Sequence, residues 1–300
     1  MTPAAATTFD DLPVPLSLGS TFFSPAIEQV RKFAYAVEDE SGWLVGAAAN
    51  APGDALVHPQ FLSTYMWWPS GFYLRAPGEI GHFGLFRQRH GHLVGTPYLH
   101  AKSSVRFLRP FRLGRPIRAD VAVTEKYRRR GRDFIVMRAS FFDADGEALA
   151  VYDHTCAIRS ESIPRAAAPS SAPSPAATAA PAETLPPRRI EMSLEKSRLF
   201  SLPAENYHTH DHLAQALGVR VAIPAAMMSF AYLSRFAEDV FGAAWISRGQ
   251  LDAVFTRMLQ RDDVLSVEGH RQQDAALALS ICNARREPVA IATARLLDLP

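Results

Sequence analysis

Residues 205–235, ENYHTHDHLAQALGVRVAIPAAMMSFAYLSR, pass without a break from a polar, histidine-dense loop into an apolar helical segment. Polar groups delivered at the mouth of an apolar wall are a common layout for a small-molecule site. A loop at a helix N-terminus also sets imidazoles beside backbone N–H groups without intrahelical acceptors, at the positive end of the helix dipole. Such a general base needs a group that titrates near neutrality, which histidine supplies.

Working outward, four strand-like runs follow the helix: SRGQLDAVFTRML, DVLSVEGHRQQ, AALALSICNARR and EPVAIATARLLDL. A lead-in, RRIEMSLEKSRLFSL, precedes the loop, and before it residues 161–188 are Pro/Ala/Ser-rich, with almost nothing to pack a core. That composition predicts a semi-rigid linker. The other side of the linker has the same outline. SPAIEQVRKFAYAVED predicts a helix, with Ser24 as cap and Ile27, Val30, Phe33 and Ala34 at helical spacing. A Gly/Pro-rich stretch to about residue 95 suits long loops around a short helix near 58–68. Then come AKSSVRFLRPF, PIRADVAVTEKY, DFIVMRASFFDADG and EALAVYDHTCAIR, with RRRGR and Asp-Ala-Asp-Gly as hairpin separators. These predict an antiparallel meander. Phe107, Arg109 and Phe111 fall on Phe255, Arg257 and Leu259, and SFFDADGEALA falls on ICNARREPVAI, so the second half repeats the first. The expected organisation is a surface tail (1–24), a unit at 25–160, the linker, and a second unit at 189–300. The fold class is α+β, a helix and an antiparallel sheet, twice.

The 300 residues are 48% apolar and 21% charged, enough to bury a sizeable core. A net charge of +2 gives no field favouring nucleic acid, an anionic membrane or an acidic partner. Cys156 and Cys282 each lie in an apolar, strand-like run, which fits buried free thiols in a reducing compartment. The first residues lack a basic region and apolar core of a signal peptide, and no apolar run is long enough to span a bilayer. A cytoplasmic protein without membrane or nucleic-acid partners is expected.

His208, with Ala214, Gly218, Ile223 and Met227 at gap-free spacing, resembles the MaoC-like, or (R)-specific enoyl-CoA hydratase, family. That family's motif runs approximately D-x-N-P-(L/I)-H-x-D-x-x-x-A-x-x-x-G-F, then P-I-x-H-G-M. VHPQF at 57–61 and YLHAKSSVRFLRPFRLG at 98–114 look like the partner unit of its two-unit members. The resemblance implies a double hotdog: two central helices, each wrapped by an antiparallel sheet, with the sheets joined edge to edge. The first unit would be degenerate and shape the acyl pocket. The implied activity is reversible addition of water to an enoyl thioester, with CoA or phosphopantetheine only as part of the substrate and no separate cofactor or metal. Partners would be an acyl-CoA or acyl-carrier-protein thioester, and a second copy of the chain in a homodimer.

Carried over, the catalytic set is His208 with Asn206, His210 and Asp211. The oxyanion and substrate-binding set is Ala225, Ala226, Met227 and Gly218. Ala226 stands where the family has the glycine whose N–H meets the thioester oxygen, and Pro203 stands where it has the catalytic Asp. Nearby substitutes are Glu205, Asn206, His210 and Asp211, with Asp39, Glu40, Asp54 and His58 in the other half. A chain that binds acyl thioesters without hydrating them, or stabilises a partner, is the alternative reading.

Two further chemistries have partial signals in the sequence. His208-Thr209-His210-Asp211-His212 is one residue short of the metallo-β-lactamase type of metal motif. A hotdog thioesterase needs a carboxylate on the helix, where Glu238 and Asp239 sit near the far end. His82, His90, His92 and His100 read as polar loop residues, with a lid over the thioester entrance as the other reading. Arg109, Arg112, Arg220 and Arg235 could meet the phosphates of a CoA or carrier arm.

Overall fold

The RRRGR separator is a two-residue turn. Arg130 and Gly131, both at positive φ, join β3 (Ile117–Arg129) to β4 (Arg132–Phe142). In the computed structural model the described residues are 8–39, 56–67, 79–95, 98–158, 183–201, 205–272 and 275–298. The remaining strands are β1 (Leu16–Phe23), β2 (Leu99–Phe107), β5 (Ala148–Ile158), β6 (Glu183–Thr184), β7 (Arg188–Glu191), β8 (Gly249–Phe255), β9 (Val264–Arg271), β10 (Leu277–Cys282) and β11 (Pro288–Leu296). The helices are α1 (Ile27–Ala36), α2 (Ser63–Trp67), α3 (His82–His90), α4 (Leu194–Ser201), α5 (Asp211–Gln215), α6 (Ala226–Phe241) and α7 (Trp245–Arg248).

The strands form one antiparallel sheet in the order β1-β3-β4-β5-β2-β8-β11-β10-β9-β6, with β7 also on β9. Neither half is a simple meander. β2 skips its sequence neighbour β3 and pairs with β5, and β8 skips β9 and pairs with β11. The physical reason lies after each first strand. The amides of Leu108 and Arg109 still bond to the Leu149 carbonyl, and the chain then crosses through Pro110 rather than turning back. β2 and β8 therefore become the inner edges and pair with each other from Lys102↔Val254 to Arg106↔Gln250. This joins the two half-sheets edge to edge, as expected.

The expected tail is part of the fold from Thr8 onward. β1 pairs with β3, and Phe9, Leu12, Leu16 and Leu18 are buried. Lys126 Nζ ties down the carbonyls of Phe9 (3.0 Å) and Leu12 (2.8 Å). Of the expected linker, residues 161–182 lie outside the described residues, whereas β6 is already paired with β9. α1 buries Val30, Phe33 and Ala34 as its spacing predicts, but starts after Ala26, whose N–H is held by Gln29 Oε1 (3.2 Å) rather than by a Ser24 cap.

The halves differ in their helices. α6 is 16 residues long and buries Met227, Phe230, Leu233 and Phe236 against the second half-sheet. It approaches β9 so closely that a Cβ on Gly269 would stand 2.4 Å from the Phe236 ring. In the first half the corresponding place holds a buried 3₁₀ turn (Pro59–Leu62) running into the five-residue α2. The internal repeat is real, but its second block is offset by one residue from the letter match. Asp143 corresponds to Asn283: each side chain accepts two amides of its turn, at 145 and 147 or at 285 and 287. Gly146 and Arg286 occupy the same positive-φ position (84° and 61°), and the dissimilar letters there hide the register. Both cysteines are free and buried.

Candidate active site

The histidine loop is built by its own short side chains. Asn206 Oδ1 accepts the His208 amide (2.8 Å), and Thr209 Oγ1 accepts the Asn206 amide (2.9 Å) while donating to the Asn206 carbonyl (3.0 Å). These are the local side chain–backbone bonds that favour a turn over a strand or helix. Asn206 thus shapes the loop. Ser197 of α4 anchors it by donating to the His208 carbonyl (2.8 Å).

Two bonds then clamp the loop to the entrance of α6. The Ile223 amide donates to the Tyr207 carbonyl (3.2 Å), and His208 Nδ1 lies 2.7 Å from the Ile223 carbonyl. A carbonyl can only accept, so Nδ1 carries the proton and Nε2 is left as a lone pair. Burial pushes the His208 pKa down to about 4, with the Ile223 bond opposing the shift, so the imidazole is neutral at pH 7. Ala225 caps α6 with extended backbone (φ −67°, ψ 136°), and its carbonyl accepts the Met228 amide (2.9 Å). Ala226 and Met227, first in the helix, have no intrahelical acceptor for their N–H groups. A neutral imidazole is therefore tied to the carbonyl three residues before the start of α6.

The other motif residues have structural duties. Asp211 Oδ1 accepts the Ala222 amide (2.8 Å) and pairs with Arg261 (2.8 Å), and the first of these bonds leads in holding its pKa down. It pins the segment before α6. His210 caps α5 and meets Thr209 Oγ1 through Nδ1 (2.8 Å). Gly218, at φ +76°, ends that turn in the left-handed region where glycine is at ease. Among the described residues no three His, Cys, Asp or Glu side chains converge as metal ligands.

Pro203, Glu40 and Asp54 lie outside the described residues. Asp39 and His58 are buried, and Asp39 pairs with Arg235 (3.1 Å). Arg235 also pairs with Asp239 (2.8 Å), so it is a structural cation of α6. Glu238 is buried beside it, its pKa pushed up to about 8 by burial and then by Asp39. It stands twelve residues along α6 from Ala226, about 18 Å at the helical rise, too far to act beside His208. Arg109 forms an exposed pair with Glu147 (2.7 Å).

The four expected loop histidines separate. His82 is buried in α3 with Nδ1 on the Leu18 carbonyl (3.1 Å), and His90 is buried at the end of that helix. His92 lies in the 3₁₀ turn that follows. His100 is in β2, with its ring 3.8 Å from His154 of β5 and 4.2 Å from Phe255 of β8. His154 was not singled out by sequence reasoning. The signal for it was strand parity, because Tyr152, His154 and Cys156 share the buried face of β5. These residues reach the motif. Tyr98 and Tyr207 share a hydroxyl hydrogen bond, Tyr152 O–H donates to Met227 Sδ (3.1 Å), and the Tyr207 ring lies 4.0 Å from that of His208.

No family model and no curated protein matches the chain. Solved structures do. A MaoC-like dehydratase superposes with a TM-score of 0.69 at 16% identity, covering 95% of this chain and 98% of its own. A MaoC-like dehydratase from Phytophthora capsici gives 0.71 at 12%, covering 95% and 97%. A Mycobacterium tuberculosis protein described as a double hotdog gives 0.59 at 14%, covering 97% of both chains. With the edge-to-edge half-sheets and the wrapped α6, these likenesses establish that the chain has the double-hotdog fold, the architecture also found in MaoC-like dehydratases.

Proposed function

We propose that the chain is an acyl-thioester hydratase/dehydratase acting on an enoyl or 3-hydroxyacyl group carried by CoA or a carrier protein. The observation that carries this reading is His208: its Nδ1–H is spent on the carbonyl of Ile223, three residues before α6 begins, which leaves Nε2 bare as a base at the entrance of that helix. In hydration, Nε2 takes a proton from water as the water oxygen bonds to C3. The C2=C3 electron pair moves toward the thioester carbonyl, whose developing negative charge the N–H groups at the start of α6 stabilise. The imidazolium then returns its proton to C2, which restores neutral His208. Dehydration is the reverse. The fold likeness to MaoC-like dehydratases supports the assignment without specifying chain length or branching.

His208→Ala removes the base while Asn206 still holds the loop backbone. Hydration of trans-2-enoyl-CoA should fall by about 10²-fold or more with the circular dichroism spectrum unchanged. Equal turnover in the variant would sink the mechanism. A second reading, a thioester-binding chain that has lost hydration, is favoured by Pro203 at the carboxylate position and by the structural employment of Asp211. Saturated acyl-CoA binding without hydration, across a panel of enoyl thioesters, would select it. A homodimer accords with the same reading, and sedimentation at several concentrations tests it.

A further inference from the structure

The half of the chain without the motif brings a polar side chain of its own, through two hydroxyls, to the first turn of α6. His100 Nε2 lies 3.1 Å from the Lys102 carbonyl and 2.7 Å from Ser103 Oγ. The carbonyl can only accept, so Nε2 carries the proton and Nδ1 is a lone pair. The directions that follow are consistent: the Ser103 hydroxyl donates to the Tyr152 oxygen (2.8 Å), and Tyr152 donates to Met227 Sδ in the first turn of α6. This relay fixes the His100 tautomer and links it to the turn that presents the open amides. Tyr98, two residues before His100, shares a hydroxyl hydrogen bond with Tyr207, whose ring lies 4.0 Å from that of His208, so the start of β2 runs beside the histidine loop.

The backbone is arranged to bring His100 there. Ser103, Val105 and Phe107 face inward on β2, and strict alternation would place residue 100 outward. A bulge between His100 and Lys102 shifts the register, so that His100 turns inward and Leu99 outward. Behind it, His154 is buried and has no hydrogen-bond partner on either nitrogen among the described residues. A buried imidazole in that condition is uncommon and marks a place suited to a small polar guest.

We propose that His100 is a catalytic residue whose Nδ1 accepts the second O–H of the water activated by His208. The inference rests on the hydratase reading and deepens it. His100 would supply the water-holding work that the family pattern gives to the carboxylate at position 203. The balance needs no proton transfer to His100. One water O–H breaks toward His208 Nε2, the oxygen bonds to C3, and the other O–H persists in the product hydroxyl.

The test is turnover of trans-2-enoyl-CoA by the full chain and by His208→Ala, His100→Asn and His100→Gln. Asparagine puts a polar atom near the Nδ1 position. Glutamine keeps one near Nε2 and offers nothing at Nδ1. His100→Asn should keep kcat within about tenfold and His100→Gln should lose about 100-fold, each with KM within about threefold. Equal kcat in the two folded variants, or a higher kcat in His100→Gln, overturns the role of His100. The hydratase reading survives that result if wild type turns over and His208→Ala does not. A wild-type chain that hydrates no enoyl thioester overturns both. Should either His100 variant fail to fold, imidazole nitrogen NMR of the unmodified protein decides. An Nε2–H tautomer with bare Nδ1, perturbed at Nδ1 by added 3-hydroxyacyl-CoA, supports the role. An Nδ1–H tautomer, or an unperturbed Nδ1, overturns it.

Discussion

In the first half the amides of Leu108 and Arg109 both reach the carbonyl of Leu149; in the second, those of Thr256 and Arg257 both reach the carbonyl of Val289. The turn amides of 143 and 146 are bonded to the carbonyls of 147 and 143, and those of 283 and 286 to the carbonyls of 287 and 283. The strand before each turn also carries the same irregularity, at Phe142↔Ala148 and Cys282↔Pro288. The sheet wiring is thus duplicated, whereas among the described residues the helix is not: α6 is long in one half, and a 3₁₀ turn with α2 is described in the other. Backbone groups in a sheet interior must be paired whatever the side chains are, so the wiring is retained as sequence drifts. A helix packed on the sheet is held by side-chain burial and can shorten if other apolar residues cover the surface. That division suits the functional reading, in which one half supplies the base and the open amides and the other supplies His100 and His154 through its strands.

The largest effect expected to break the symmetry is acid. Histidines held below their ordinary pKa mainly by burial are His58, His82, His90, His100 and His154 in the first half, and His208 in the second. The unfolded chain binds more protons than the folded one between pH 6.5 and the depressed values. Stability therefore falls as pH drops through 6.5 toward about 4 for His58 and about 3 for His154. At about 1.4 kcal/mol per unit, His58 alone accounts for about 3 kcal/mol by the low end of its window. Hydrogen exchange between pH 7 and pH 4 should show β3–β5 opening before β9–β11. Simultaneous opening would mean that the halves unfold as one unit.

A smaller effect tests the seat of α6 on its half-sheet. Gly269→Ala pushes a methyl into the Phe236 ring, where the approach is 2.4 Å, and overpacking of this kind costs about 1–3 kcal/mol. A melting temperature equal to wild type would show that α6 can move away from β9 freely. The smallest effects should be equal in the two halves. Asp143→Ala and Asn283→Ala each remove two bonds to turn amides, Asn283→Ala also one to the Glu287 carboxylate, and each should cost about 1 kcal/mol by denaturant unfolding. Arg109→Ala and Arg257→Ala break solvent-exposed pairs and should stay within about 0.5 kcal/mol. Unequal costs at Asp143 and Asn283 would undo the one-residue correction to the repeat.

Much of this molecule was legible in its residues. Alternation and hairpin separators located β2–β5 and β8–β11, because the side-chain period of a strand is local, whereas β6 and β7 fell in the expected linker and lead-in. The apolar helix after the histidine loop is α6, and the spacing from His208 to Met227 put the imidazole at its N-terminus. The sequence could not say which strands pair, since β2 and β8 meet partners far away in the chain. Nor could it show that Asn206, His210, Asp211 and Gly218 build the loop, because a polar letter looks the same whether it meets substrate or its own backbone. His100 marks the boundary most sharply. Its letter stands in the sequence, but the face it presents depends on a bulge set by pairing with β5 some fifty residues on, and its contact with Phe255 depends on the seam between β2 and β8. Local periodicity determined the elements and the place of His208 before α6; the long-range register, which only the folded sheet decides, determined which strands meet around His100.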